Sequence, residues 1–442
     1  MKTTLYDLIR EKRYREVREE LSHLNPVDVA AMLEELDEET AALVFRMIKK
    51  DEAAEVFSYM DNDQRQYILK ILSKQEIKDL FDDMFADDAA DFLGDLPSNV
   101  VTKLLENVEK DTRSRINQLL RYEEDSAGSI MTVEFIELYR DMTVQDALAK
   151  IRRVGIDSET VYTCYVVDRR KLIGIVTAKD LMINGSDRLI GDLMKEDFIS
   201  VKTTDDREEA AKLFRKYGLI AIPVLDSEGC IVGIVTFDDA IDVLTEETTE
   251  DMNKMAAMGS SDESYLKTSA FTHAKHRIVW LLVLMLSSTI TGAIIARYEN
   301  TFAAVPLLVS FIPMLMDTGG NCGTQSSTLI IRGLAVDELK FSDIFRVMWK
   351  EFRVSILVSA ALAVANGARI YLMHGDMKLA FVVSAALVGT VIISKLIGCT
   401  LPILAKKIKL DPALMAAPLI TTIVDTFSII IYFNIATRIF NL

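Results

Sequence analysis

The chain has 442 residues, half of them hydrophobic, and a net charge of −16. That length accommodates several domains, while the acidic balance excludes nucleic acid as a partner, because its phosphates would be repelled. The four cysteines (Cys164, Cys230, Cys322 and Cys399) lie far apart and form no Cys-x-x-Cys pair, which excludes a zinc ribbon or a disulfide framework.

The charge is unevenly placed. Residues 1–125 hold 18 Lys and Arg against 30 Asp and Glu, residues 126–248 hold 15 against 23, and the remainder holds 17 against 13. The acidic first 248 residues attract cations, and the remaining 194 are mildly basic. Met1 to Val17 is charged and lacks the apolar core of a signal peptide, which predicts a cytoplasmic front.

Residues 1–125 align with themselves in rows of twelve. Leu36, Ile48, Met60, Leu72, Met84 and Leu96 form one apolar column, and Phe45, Phe57, Leu69, Phe81 and Leu93 another. Helical offsets within each row, with Asp37, Asp61, Ser73 and Pro97 as cap or turn residues, predict a superhelix of short helices. The acidic pairs Asp82-Asp83 and Asp87-Asp88, with Asp91 and Asp95, are expected on its solvent side. Asp87, Asp91 and Asp95 follow at i, i+4 and i+8, where a divalent cation would relieve their repulsion. Asp91 and Asp95 are the candidate regulatory ligands here, and a solvated acidic face is the ordinary alternative.

Residues 126–248 contain a tandem repeat. Gly128-Ser-Ile-Met131 corresponds to Gly191-Asp-Leu-Met194, and Leu172 to Asp180 corresponds to Ile231 to Asp239. Each half predicts a helix (Val144–Val154; Arg207–Tyr217), a strand (Thr163–Val167; Ala221–Leu225), a turn, a second strand and a Thr-capped helix. The strand-Gly-strand-Thr-x-x-Asp pattern, present twice, resembles a pair of CBS domains. That resemblance implies an adenine nucleotide such as ATP in the cleft between modules, with Thr177, Asp180, Thr236 and Asp239 as contacts.

Asp239, Asp242, Glu246 and Glu250 then fall at steps of three, four and four, with Glu247 and Asp251 on an adjoining face. Such a row of like charge is unfavourable in an isolated helix and points to a counterion. His273 and His276 lack further ligands nearby and are assigned to the membrane boundary.

Five membrane spans are predicted: Ile278–Ala296, Pro306–Ile331, Val354–Leu372, Leu379–Leu404 and Ala413–Thr437. With the N-terminus inside, ten Lys and Arg fall on the cytoplasmic side against four outside, and the C-terminus lies outside. In the second span, Pro313 to Gln325 carries three glycines and several polar side chains. This predicts broken backbone lining a cavity, with close packing on small residues as the alternative. In the fifth span Asp425 lies near the midplane, where a carboxylate costs at least about 2.5 kcal/mol and marks an ion pathway or a partner. Lys395, deep in the fourth span, is expected to snorkel or to pair with a polar neighbour.

The order of these parts, with Pro313-Met-Leu followed by Gly319-Gly-Asn-x-Gly-x-Gln325, Leu410-Asp-Pro412 and Pro418 to Asp425, closely resembles the MgtE magnesium channels. The resemblance implies a multidomain membrane protein. Its parts are an all-α N-terminal helical superhelix (1–125), an α/β tandem CBS pair (126–187 and 188–243), a long connecting or plug helix (244–273) and a five-helix α transmembrane domain (274–442). It further implies a non-enzymatic homodimer in the plasma membrane, with Asp425 in a Mg²⁺ pore and Gly319, Gly320, Asn321 and Ala417 lining it. Cytoplasmic Mg²⁺ would close the pore through Asp239, Asp242, Glu247, Glu250, Asp251 and Asp411. Some members carry Asn where this chain has Ala417. Two rivals are a CBS-regulated carrier for another divalent cation or solute, and an intramembrane aspartyl protease built on Asp317 and Asp425.

Overall fold

The computed structural model describes residues 2–259, 265, 268–415 and 417–441, and divides into two compact units, 1–245 and 246–442. In the first unit, helices α1 (Lys2–Arg10) through α10 (Lys110–Leu119) keep the twelve-residue period. Successive helices from α2 onward begin at Tyr14, Pro26, Glu38, Lys50, Asn62, Lys74, Ala86, Ser98 and Lys110. The expected caps are in place. Asp37 accepts from the Thr40 amide at 3.1 Å, Asp61 from the Gln64 amide at 2.9 Å, and Ser73 forms a reciprocal capping box with Glu76. Helices of eight to ten residues are too short to persist alone. They are held by an interior that includes Val44, Phe57, Phe81 and Phe92.

Two three-stranded sheets follow. One is β1 (Glu137–Tyr139), β2 (Thr163–Asp168) and β3 (Lys171–Thr177); the other is β4 (Val201–Lys202), β5 (Ala221–Leu225) and β6 (Ile231–Thr236). In each, the first pair is parallel and the second antiparallel. The two modules share a core of Tyr165, Val167 and Leu172 with Ala221, Ile231 and Ile234. The hydrophobic interior of the helical repeat continues into the second module through Phe214, Val235, Ala240 and Val243. This packing brings the helix α8 (Ala86–Gly94) into the neighbourhood of α15 (Phe237–Met255), the helix after β6. α15 is shorter than the connecting helix expected over 244–273. It starts within the second module and ends at Met255, two residues before Ala257 adopts φ +54°. The serine-rich stretch Ser260–Ser264 lies outside the described residues.

In the second unit, α16 (Ala270–Ala296), α19 (Ile344–His374), α20 (Met377–Lys407) and α21 (Ala417–Phe440) are, with their flanking turns, long and apolar enough to cross a membrane. Between them lie α17 (Glu299–Ala304), a 3-10 turn over Pro306–Phe311 and α18 (Ile312–Ala335). The expected break in the second span is not observed. α18 is one continuous helix, with Pro313 in its first turn, where proline's missing N–H is no loss. Its glycines instead admit other helices. A methyl on Gly319 would lie 2.8 Å from Thr390 and 2.9 Å from Val424, and one on Gly398 would lie 2.3 Å from the Gly323 carbonyl. Close backbone approach through small residues substitutes here for the hydrophobic driving force that lipid does not supply.

Lys395 pairs rather than snorkels. Its Nζ lies 3.7 Å from Glu351 Oε2 on α19 and donates to Ser326 Oγ on α18 at 3.2 Å, while Ser326 Oγ donates to Glu351 Oε2 at 2.6 Å. All three residues are buried, so this triad ties three helices with a charge pair removed from water. Removing one member leaves the other charge uncompensated, at a cost of about 3–5 kcal/mol. Lys395→Met is therefore expected to lower the midpoint of thermal unfolding in detergent strongly, and Lys395→Met with Glu351→Gln much less. Equal losses in the single and double variants would contradict the pairing.

Candidate functional site: two unanswered sets of carboxylates

The first set lies in unit 1. Asp87 and Asp88 occupy the first turn of α8, and Asp238 and Asp239 the first turn of α15, positions where the helix N-terminus tolerates negative charge. Glu159 and Glu134 lie close enough to interact with them. The acidic pairs were expected on the solvent side, yet Asp87 Oδ1 is fully buried and has no hydrogen-bond partner among the described residues. Docking of the repeat onto the second module removes this oxygen from water, an effect invisible in the repeat alone.

Burial pushes Asp88 up to about 6 and Glu159, with the help of Asp239 and Asp238, to about 8. Asp239 rises to about 7 for the same first reason, although the Thr236 hydroxyl donates to it. Asp87 is raised well above the usual carboxylate range by burial and by Asp239. Asp91 and Asp242 are raised more modestly, first by burial, with Arg65 opposing the shift at Asp91 and Asp238 adding to it at Asp242. Asp95 stands just beyond α8 and accepts from Asn62 Nδ2 at 2.6 Å. Thus Asp239 and Asp242 join Asp87 and Asp88 of the expected acidic face, together with Asp238 and Glu159, which the sequence did not single out. Among the described residues no three His, Cys, Asp or Glu side chains close tightly enough to hold a bare ion. An orphaned buried oxygen amid spread carboxylates suits a hydrated divalent cation, since Mg²⁺ keeps several of its waters.

The nucleotide candidates serve a local role as well. Thr177 and Asp180 form a capping box on α12 (Ala178–Ile183), in which Thr177 Oγ1 donates to Asp180 Oδ2 at 2.6 Å; Lys195 Nζ lies 3.8 Å from the same Asp180 oxygen. Thr236 and Asp239 repeat that hydroxyl–carboxylate bond in the second module.

The second set lies in unit 2. Asp425 is partly buried midway along the apolar stretch Pro412–Phe440, and among the described residues it makes no hydrogen bond or ion pair. Nearby hydroxyls are occupied: Thr422 Oγ1 donates to the Pro418 carbonyl, Ser428 Oγ to the Val424 carbonyl, and Thr426 Oγ1 lies 3.2 Å from Thr291 Oγ1 of α16. Gly319 and Gly320 are buried against α21, while Asn321 is exposed. Ala417 begins α21. Glu247, Glu250 and Asp251 lie on α15, and Asp411 on the turn before α21. Here the sequence reasoning missed a basic residue: Lys254 Nζ bridges Glu250 Oε1 at 2.8 Å and Asp411 Oδ2 at 2.7 Å, so an ammonium already answers these two carboxylates. His273 and His276 make local contacts, Nε2 of His273 to the Tyr265 carbonyl and the His276 carbonyl to the Gly259 amide.

The raised carboxylates of unit 1 give a pH dependence of defined sign. A folded state that binds these protons more tightly than unfolded carboxyls of pKa about 4 is stabilised fully at low pH, and this stabilisation is lost as pH rises through about 6 to 8. Metal-free protein should show a melting midpoint that falls between about pH 5.5 and 8. Added Mg²⁺ should raise the midpoint more at the higher pH, and a Mg²⁺ shift equal at both would contradict the assignment.

Comparison with known proteins places these features in one family. Residues 312–435 match the family described as MgtE, divalent cation transporter. Residues 24–125 match the MgtE intracellular N domain, and residues 127–186 and 190–246 match the CBS domain. The magnesium transporter MgtE of Thermus thermophilus is 34% identical over 437 residues, 98% of this chain and 97% of that protein. That of Bacillus subtilis is 33% identical over 431 residues, 97% and 95% of the two chains. A solved cytosolic domain of the Mg²⁺ channel MgtE in complex with ATP is 33% identical, with a TM-score of 0.53, covering 55% of this chain and 100% of that one. The soluble part of a magnesium transporter is 31% identical, with a TM-score of 0.52, covering 56% and 97%. The chain belongs to the MgtE family of divalent cation transporters.

Proposed function

We propose that this chain conducts Mg²⁺ across the plasma membrane along a pathway containing Asp425, and that cytoplasmic Mg²⁺ closes this pathway. The observation that carries the proposal is the unanswered carboxylate of Asp425 in an apolar helix of a divalent cation transporter family. With no partner among the described residues, the carboxylate must meet water, an ion or a second copy. Two copies around an axis would present two Asp425 side chains to one hydrated ion, few enough direct bonds for release. Gly319, Gly320, Asn321 and Ala417 would line the same path. The N-terminus and CBS pair lie inside and the C-terminus outside, the orientation that the positive-inside count favours.

Closure follows from the first carboxylate set. When Mg²⁺ is scarce, Asp87, Asp88, Asp91, Asp238, Asp239 and Asp242 repel or take up protons; when it is plentiful, ions draw the repeat and the second CBS module together. Asp95, Glu247 and Asp251 are further regulatory candidates, and Lys254 bridges Glu250 and Asp411. The ATP complex of the related cytosolic domain supports an adenine nucleotide at the CBS pair, through Thr177, Asp180, Thr236 and Asp239. Family membership over the whole chain favours transport over an aspartyl protease, whose dyad would use the same Asp425.

The test is Mg²⁺ influx into liposomes containing the purified chain, followed with an internal indicator dye. Asp425→Asn should lower influx by at least about tenfold, the effect of losing about 1.4 kcal/mol of ion stabilisation. Influx equal to that of the unsubstituted chain would overturn the assignment.

A further inference from the structure

We propose that Asp317 is a second ion-facing carboxylate that helps set the preference of the pathway for divalent over monovalent cations; this rests on the Mg²⁺ pathway proposed above. Helix register provides the first observation. Methyls built on Gly323, Gly320 and Gly319 would meet Ile420, Thr421 and Val424 with Ser428, respectively. Residue numbers fall along α18 as they rise along α21, so the two helices run antiparallel. One turn back from Gly320 is Asp317, and one turn on from Thr421 is Asp425, which places the two carboxylates on adjoining faces at one depth. The two groups interact electrostatically, in keeping with this register.

The second observation is the face on which Asp317 stands. Asp317, Asn321 and Gln325 follow at i, i+4 and i+8 and are all exposed, whereas Gly319, Gly320, Cys322, Gly323 and Ser326 are buried. None of the three polar side chains has a hydrogen-bond or ionic partner among the described residues. Lipid cannot satisfy a carboxylate and two amides in a row along a helix packed among apolar spans. A water-filled path can, and the amides offer both donors and acceptors to ion-bound water. Two adjacent carboxylates repel each other, and a divalent cation relieves both at once where a monovalent cation leaves one charge over.

The experiment uses full-length chain in liposomes, with Mg²⁺ influx measured against external concentration and in competition with K⁺. Asp317→Asn should raise the Mg²⁺ concentration for half-maximal influx by on the order of tenfold and reduce the preference over K⁺. Asp317→Glu should retain most of that preference, as a purely steric role would not. Half-saturation and preference equal to those of the unsubstituted chain in Asp317→Asn, with Asp425→Asn impaired, would overturn this inference and leave the pathway reading intact. Absence of Mg²⁺ influx in the unsubstituted chain would instead overturn that reading. If Asp317→Asn does not fold, Asp317→Cys in a chain whose native cysteines are serines decides the question. Modification by a water-soluble thiol reagent, slowed by Mg²⁺, supports the assignment, and no modification overturns it.

Discussion

A carboxylate removed from water must be answered by a proton, an ammonium or a metal ion, and this requirement organises the molecule. Glu351 is answered inside the apolar unit by Lys395 and Ser326. Asp411 and Glu250 are answered by Lys254. Among the described residues two places are left without an ion pair of their own, one at Asp87 and Asp239, the other at Asp425 and Asp317. These are the places where a divalent cation has most to offer, because the protein supplies charge and leaves the compensation to the ion.

The two sets differ in how they would use the cation. Around Asp87, burial and mutual repulsion raise proton affinity, to about 6 at Asp88 and about 7 at Asp239, so under the proposed closure protons would compete with Mg²⁺ for the same oxygens. Under that proposal, binding there would favour a compact arrangement of the helical repeat and the second CBS module, as suits a sensor. At Asp425 the hydroxyls of Thr422, Thr426 and Ser428 each donate to a backbone carbonyl, so none of them satisfies the carboxylate, which under the proposed pathway would meet a passing hydrated ion. A site that holds its ion loosely suits conduction.

The architecture that positions these groups is built from marginal pieces. Short helices of the repeat borrow stability from one another and from the second module through a continuous hydrophobic interior. In the apolar unit, α18 approaches α20 and α21 through glycines closely enough that an added methyl would strike a neighbouring carbonyl or side chain. Polar fasteners hold that approach: Ser394 donates to the Gly319 carbonyl, and Ser327 to the Met415 carbonyl. A helix set by such contacts has a defined rotation, so its polar stripe points one way.

Local periodicity made much of this legible. The twelve-residue frame, its caps at Asp37, Asp61 and Ser73, the strands of both CBS modules and the apolar stretches all follow from side-chain patterns that repeat within a few residues. Asp425 stood out because one charge in an apolar run is costly wherever the helix packs. The glycines of α18 were ambiguous, since the same residues permit a broken helix or a close-packed one, and only neighbouring helices choose between them. The partners of Lys395 and Lys254, and the burial of Asp87, depend on residues tens to hundreds of positions apart. The sequence by itself therefore determined the elements and the family, because those rest on local pattern; tertiary structure alone decided which carboxylates are compensated, because compensation is a property of what lies nearby in space.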